Sequence, residues 1–263
     1  MTRLVAHRGA SALEPEHSRA AYERALADGA DGLECDVRLT ADGVAVCWHD
    51  ATLDRTSDGR GPVHEATLAQ VRALALRGPG GDARGALTLR ELLGLALGAG
   101  RPLTVAIELK HPAPYGWAAE DAVLAELDAL GWDPASGALG DLRISLMSFH
   151  PGALAHLARR VPAAHLMVLL DDAPGADPDL GSAADVAEAW RLADAGIVGG
   201  VGPGLGVVRR RPERVAAWLA AGRLVRVWTV NAAGDAAACL ALGVPELTTD
   251  DPGGLRAALS AAP

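Results

Sequence analysis

Short runs rich in Val, Ile and Leu alternate along the chain with Ala/Leu/Arg/Glu stretches whose apolar residues recur at helical spacing. The runs predict strands near Leu4–His7, Leu33–Leu39, Thr104–Lys110, Ile144–Ser148, Leu166–Leu170, Ile197–Val201, Val225–Val230 and Glu246–Thr249. The stretches between them predict helices near Ser18–Ala27, Leu89–Gly98, Ala119–Leu130, Gly152–Arg160, Ala183–Ala193, Pro212–Ala221 and Ala232–Leu242, with a last helix from about Gly253. A strand-then-helix unit repeated eight times predicts the α/β class and a closed (β/α)8 TIM barrel. An open doubly wound sheet is the alternative, but it rarely carries so many units without a boundary. No linker divides the chain, and the Gly/Pro-rich stretch Arg77–Gly85 reads as a loop within a connection. We expect residues 1–263 to form one domain.

One run departs from the alternation. Val44–Trp48 follows the second strand after only Thr40-Ala41-Asp42-Gly43, too short a link for a helical crossover. It must fold back as an antiparallel hairpin extending strand two. A tight turn would pair residues whose numbers sum to about 83, setting Glu34 opposite His49 and Asp36 opposite Cys47. Alternation then gathers Glu34, Asp36 and His49 on one face and turns Trp48 to the other, where it packs.

Composition narrows the possible partners. The chain has 263 residues, half of them apolar, and a net charge of −9. That charge argues against nucleic acid as a partner. It leaves a phosphate substrate open, because a cation and an Arg can reverse the sign inside a cleft. Cys35, Cys47 and Cys239 have no metal-type spacing and do not suggest a disulfide framework. The start of the sequence lacks a charged, apolar, then small-residue leader, and no apolar run reaches membrane-spanning length. A cytoplasmic protein without an integral membrane segment is expected.

Polar groups interrupt the apolar pattern where strands should end: His7-Arg8-Gly9, Glu34-Cys35-Asp36, Trp48-His49-Asp50 and Glu108-Leu109-Lys110. A charged residue at the carboxyl end of a barrel strand reads as active site. Taken singly, each is more simply a solvated or ion-paired residue. Several strands supplying such groups together weaken that reading. Glu34 and Asp36, two apart on one strand, need neutralising. Lys110 could do so, yet three carboxylates converging with Glu108 suit a hard divalent cation better.

These motifs carry a resemblance. His7-Arg8-Gly9-Ala10-Ser11, Pro15-Glu16, Leu33-Glu34-Cys35-Asp36-Val37, Thr40-Ala41-Asp42-Gly43 and His49-Asp50 resemble the leading motif of glycerophosphodiester phosphodiesterases. Leu87-Thr88-Leu89, Ile107-Glu108-Leu109-Lys110, Ser148-Phe149, Trp228-Thr229-Val230-Asn231 and Thr249-Asp250-Asp251-Pro252 follow in order, so the likeness spans nearly the whole chain. The resemblance implies that His7 and His49 are the acid/base pair and that Glu34, Asp36 and Glu108 hold one divalent metal ion, Mg2+ or Ca2+. It implies that Arg8 and Lys110 hold the phosphate and that Trp228 lines the alcohol side. It also implies hydrolysis of a small phosphodiester to glycerol 3-phosphate and an alcohol, with the glycerol 2-hydroxyl as first nucleophile. One imidazole would take the nucleophile's proton and the other would protonate the leaving group. Two departures stand out: His17-Ser18 replaces the usual Asn-Thr, and His150 sits where the family often has an acid. Ser18 can still cap a helix. Phospholipase D-like action on lysolipids is an alternative, although such enzymes are usually secreted and disulfide-bearing. A non-catalytic phosphodiester-binding barrel is another, and the retained histidines and carboxylates speak against it.

Gly199-Gly200-Val201-Gly202-Pro203-Gly204 lacks dinucleotide-loop spacing and reads as a flexible loop at the barrel mouth. Arg209-Arg210-Arg211 reads as a solvated basic run before a helix.

Overall fold

The computed structural model describes residues 2–81, 83–171 and 181–261. Its strands β1 (Arg3–Ala6), β2 (Gly32–Leu39), β3 (Leu103–Leu109), β4 (Leu142–Ser148), β5 (Leu166–Leu170), β6 (Gly200–Pro203), β7 (Leu224–Val227) and β8 (Glu246–Thr249) pair in parallel, each with the next. β8 returns to β1, pairing Arg3 with Glu246 and Ala6 with Thr249, and closes the (β/α)8 barrel. Every residue of β2 and β3 is buried, because a barrel strand is covered on one face by helices and on the other by the barrel interior.

Alternation decides which side chain goes where. Leu33, Cys35 and Val37 of β2 and Val105, Ile107 and Leu109 of β3 pack outward in the main core, with Leu92, Leu93, Val123 and Leu127 from the covering helices. The inward positions are Glu34, Asp36, Ala106 and Glu108, and further round the barrel Val5, Met147, Met167 and Leu169 pack together inside. Side-chain caps mark several helix starts. Ser18 Oγ accepts from the Ala21 amide at 3.0 Å ahead of helix Arg19–Ala27. Thr88 and Glu91 form a reciprocal capping box at the start of helix Leu89–Gly98. All three cysteines are buried and free. Among the described residues no helix is long and apolar enough to cross a membrane.

The hairpin forms, with its register one residue away from expectation. Strand Ala45–Cys47 runs antiparallel to β2 and pairs Val37 with Cys47, Arg38 with Val46 and Leu39 with Ala45. The cause is the turn. Gly43 takes a left-handed conformation (φ +76) and donates to the Thr40 carbonyl at 2.9 Å, making a three-residue loop instead of a two-residue one. Asp36 therefore lies opposite Trp48, whose amide donates to its carbonyl at 3.0 Å, and His49 reaches the barrel mouth from beyond the paired segment. Trp48 packs away from the mouth in a small core with Val46, Leu53, Val63 and Val71.

The glycine run is also corrected: Gly200–Pro203 is strand β6, inside the barrel wall. A Cβ added at Gly200 would lie 2.7 Å from Met167 Cε, and one at Gly202 2.5 Å from Leu169 Cδ2. These glycines leave room for neighbouring side chains, which flexibility would not require. Arg209 and Arg210 close a short helix, Leu205–Arg210, absent from the sequence reading. Arg209 is well exposed and pairs with Asp235.

Candidate active site

Two buried carboxylates face each other across neighbouring strands, since the β2–β3 register sets Asp36 beside Glu108. Glu34, one inward step before Asp36, completes the group, and the three ligating oxygens all lie within 4.8 Å of one another. Two cations share the space. Lys110 Nζ lies 2.7 Å from Glu108 Oε1 and 3.5 Å from Asp36 Oδ1, while Arg8 Nε lies 3.1 Å from Asp36 Oδ2. The charge does not balance. Burial, then the neighbouring Asp36, raises the Glu34 carboxyl well above its ordinary range, and burial pushes Glu108 up to about 7. Burial would raise Asp36 too, but Lys110 and Arg8 hold it well below the usual range. Three buried carboxylates against two cations leave an excess that a proton or a hard divalent cation would take up, and an all-oxygen set suits the latter. The residues fit a metal site.

The chain around Arg8 is shaped to point inward. Arg8 itself is left-handed (φ +58), and its amide donates to Glu34 Oε2 at 2.9 Å. Gly9 (φ +86) follows, and a Cβ there would lie 2.6 Å from the Ala21 backbone, so only glycine lets the turn slip under helix Arg19–Ala27.

Each candidate histidine is backed by a carboxylate. His7 Nδ1 lies 2.6 Å from Asp250 Oδ1, and Asp250 also accepts from Asn231 Nδ2 at 2.6 Å and Ser11 Oγ at 3.1 Å. Burial opposes ionisation of Asp250, but the His7 hydrogen bond and its other donors hold it down to about 2. His49 Nδ1 lies 2.7 Å from Asp50 Oδ1. Arg55 grips Asp50 with two nitrogens at 2.6 and 2.8 Å and Glu16 with two at 2.9 and 2.8 Å, and Glu16 accepts from Arg8 Nη1 at 3.1 Å. With Nδ1 engaged, Nε2 of each ring is the nitrogen available to a reacting group. Burial first, and Arg8 second, lower the affinity of His7 for a proton, which favours the neutral ring.

His7, Arg8, Glu34, His49, Glu108 and Lys110 form much of the charged part of the lining of a cleft of about 150 Å3 at the carboxyl end of the barrel. The apolar part of the lining is Met147, Phe149, Leu169 and Trp228. The Trp228 indole donates to the Gly202 carbonyl at 2.8 Å and meets Phe149 edge-on. Asp36 lies beneath the surface, 1 % exposed, bonded to the lining groups. A larger open groove of about 670 Å3 runs between helices Arg19–Ala27 and Leu89–Gly98, and none of the eight candidate residues lines it.

Residues 7–254 match the Glycerophosphoryl diester phosphodiesterase family. The chain belongs to that family. It is 40 % identical over 263 residues to a Mycobacterium tuberculosis protein named "Probable glycerophosphodiester phosphodiesterase 1", covering 97 % of this chain and 91 % of that one. It is 30 % identical over 255 residues to a glycerophosphodiester phosphodiesterase of Bacillus altitudinis, covering 96 % of each. The fold superposes on a glycerophosphodiester phosphodiesterase of Agrobacterium tumefaciens with a TM-score of 0.72 at 26 % identity, over 99 % of this chain and 100 % of that one. It also matches an Oleispira antarctica phosphodiesterase solved with the product sn-glycerol-3-phosphate, with a TM-score of 0.78 at 24 % identity, over 98 % and 97 % of the two chains. The protein is thus a phosphoric diester hydrolase of the glycerophosphodiester type.

Several residues that the structure bonds to the candidate site escaped the sequence reading. Asp50 and Asp250 sat in the motifs without a role, although Asp250 directly follows the carboxyl end of a barrel strand and the strand-end rule marks it. Arg55 had no signal, because it lies 39 residues from Glu16 in an irregular loop. His17 is resolved: buried and left-handed (φ +60), it places Nε2 2.9 Å from Asp36 Oδ2 and Nδ1 2.8 Å from the Tyr22 hydroxyl.

Proposed function

We propose that this phosphodiesterase hydrolyses glycerophosphodiesters to glycerol 3-phosphate and an alcohol by two-histidine acid/base catalysis beside one divalent cation, Mg2+ or Ca2+. The observation that carries the reading is a single cleft lined by two carboxylate-backed imidazoles with three clustered carboxylates at its base. Glu34, Asp36 and Glu108 would hold the cation. Bound there, it would neutralise charge on the phosphoryl oxygens and make a nearby hydroxyl more acidic. Arg8 and Lys110 orient the phosphate, Arg8 through planar donors suited to its oxygens.

His7, whose burial favours the neutral ring, takes the proton of the attacking hydroxyl through Nε2. The new P–O bond forms as the bond to the leaving alcohol breaks, and the His49 imidazolium protonates the departing oxygen. Where the glycerol 2-hydroxyl is the nucleophile, the product is a cyclic phosphate. Water then opens it with the two rings exchanging roles. Asp250 and Asp50 stabilise the imidazolium forms and fix the tautomers. The cleft volume is well below the roughly 300 Å3 at which drug-sized ligand pockets begin, so it suits a glycerol phosphate and leaves the second alcohol outside. A relative of the same fold bound to sn-glycerol-3-phosphate supports that choice of product.

The test is release of the head-group alcohol from glycerophosphocholine, glycerophosphoethanolamine, glycerophosphoglycerol and a lysolipid, with a chelator and with each metal added back. Glycerol 3-phosphate is the co-product of the first three and lysophosphatidate that of the last. Turnover of the glycerophosphodiesters only with metal is expected. A preference for the lysolipid would move the enzyme to the phospholipase D-like class. Binding of every diester without turnover would leave a non-catalytic barrel.

A further inference from the structure

The closed end of the cleft holds a group that the proposed chemistry does not use. Arg226 is an inward position of β7, two residues before Trp228, and it lines the cleft while being 2 % exposed. Its Cα is level with Glu246, three residues and about 10 Å along the strand below Thr249 at the rim. Arg226 Nε donates to Glu246 Oε2 at 2.7 Å, and Nη2 lies 2.7 Å from the same oxygen. Nη2 makes no hydrogen bond at that distance, and among the described residues Nη1 has only Ser145 Oγ at 3.5 Å and the sulfurs of Met167 and Met147 at 3.8 and 3.9 Å. Thioethers are weak acceptors, so one end of a buried guanidinium is poorly served. Burying an Arg–Glu pair costs more desolvation than packed aliphatic side chains would, so filling the barrel does not by itself account for it.

We propose that Arg226 Nη1 donates to the terminal hydroxyl of the substrate's glycerol unit, making Arg226 a specificity-determining residue for glycerol. This rests on the reading that a glycerophosphodiester places its phosphate at Arg8, Lys110 and the carboxylates. Glycerol then extends inward between Trp228, Phe149 and Met147, whose surfaces take its carbon chain. Its end meets the guanidinium. The ligand is a neutral hydroxyl and not a second anion, because Glu246 faces the buried Arg226 charge directly, while Arg3, the other cation on Glu246, is half-exposed and solvated. An alcohol without that hydroxyl would leave Nη1 desolvated and unpaired.

The experiment compares kcat/KM for glycerophosphocholine with that for the phosphocholine ester of propane-1,2-diol, which keeps the 2-hydroxyl and lacks the terminal one. The parent enzyme should favour the glycerol ester by about 10–100-fold, as expected for one hydrogen bond to a charged donor. In Arg226→Met the two esters should fall within about threefold of each other, set by the parent's own ratio. The ratio is taken within one preparation, so loss of folded protein cancels. If Arg226→Met alone is insoluble, the double variant Arg226→Met with Glu246→Leu removes both buried charges and gives the same reading. Equal rates in the parent, or unchanged discrimination in the variant, would overturn the role of Arg226 while leaving the phosphodiesterase reading intact. A parent that hydrolyses neither ester overturns that reading as well.

Discussion

His17 Nε2 lies 2.9 Å from Asp36 Oδ2, and on its other side Nδ1 lies 2.8 Å from the Tyr22 hydroxyl, itself 3.1 Å from the Glu34 carbonyl. One buried ring therefore braces both positions of β2 that carry carboxylates. Partners of this kind fix the orientation of a ligating oxygen, and losing one typically costs 10–100-fold in metal affinity. His17→Leu should weaken Mg2+ or Ca2+ binding by about that factor, read by calorimetry on metal-free protein. His17→Asn should retain most of the affinity, since Asn tolerates the left-handed backbone and keeps a donor. Parent affinity in the leucine variant would show that Asp36 needs no brace. A lowered unfolding temperature with parent affinity would reduce His17 to a packing role.

The barrel was legible because short apolar strand runs alternate with stretches of helical period along the whole chain, and Ser18 marks one helix start on the sequence itself. The carboxylate trio was legible for the same reason, as a step of two residues keeps Glu34 and Asp36 on one face. The hairpin register was not, because a two-residue and a three-residue loop differ only in whether Gly43 turns left-handed. Gly200 and Gly202 misled because a glycine run signals flexibility locally, while its cause is the bulk of Met167 and Leu169 on the next strand. Arg55 and Arg226 act through partners 39 and 20 residues away, a distance that no local pattern encodes.

Replacing either histidine separates catalysis from metal binding. His7→Ala and His49→Ala should each lower kcat on a glycerophosphodiester by about 10²–10⁴-fold, with no recovery at high metal. Glu34→Ala should also lose activity, but excess metal should restore part of it, since only an oxygen ligand has gone. The measurement is a metal titration of each variant beside the parent. Rescue of a histidine variant by metal would make that histidine a ligand, and near-parent rates in both would sink the mechanism.

Asp250 sets both the orientation and the basicity of His7. Its hydrogen bond and charge raise the proton affinity of His7 against burial and Arg8, which lower it. Asp250→Asn removes the raising contribution, so the acid limb of the kcat/KM profile should move to lower pH. The rate itself should fall on the order of 10²–10⁴-fold, because the amide no longer enforces the productive tautomer. An acid limb that stays in place, or moves to higher pH, would show that His7 is not the base.

Glu108 links the carboxylate cluster to stability. Burial raises its carboxyl from an ordinary 4.5 to about 7, so the folded protein holds this proton more tightly than the unfolded chain does. A group raised in this way contributes stability that is full below the unfolded value and is lost as pH rises through the folded one. At ~1.4 kcal/mol per pH unit, the interval corresponds to about 3 kcal/mol lost between pH 4.5 and pH 7 and above. Other groups titrate over the same range, so the quantity to follow is the parent's unfolding free energy minus that of Glu108→Gln, which cannot ionise. In chelator, that difference should fall steadily from pH 5 to pH 8 in denaturant titrations. A saturating divalent cation should reverse the fall in the parent alone, because ligation takes the place of the proton. At 100 times its Kd the cation adds about 2.7 kcal/mol, enough to offset most of the loss. Parallel curves for parent and variant would mean that Lys110, 2.7 Å away, keeps Glu108 ionised throughout, and that the cluster is neutralised from within.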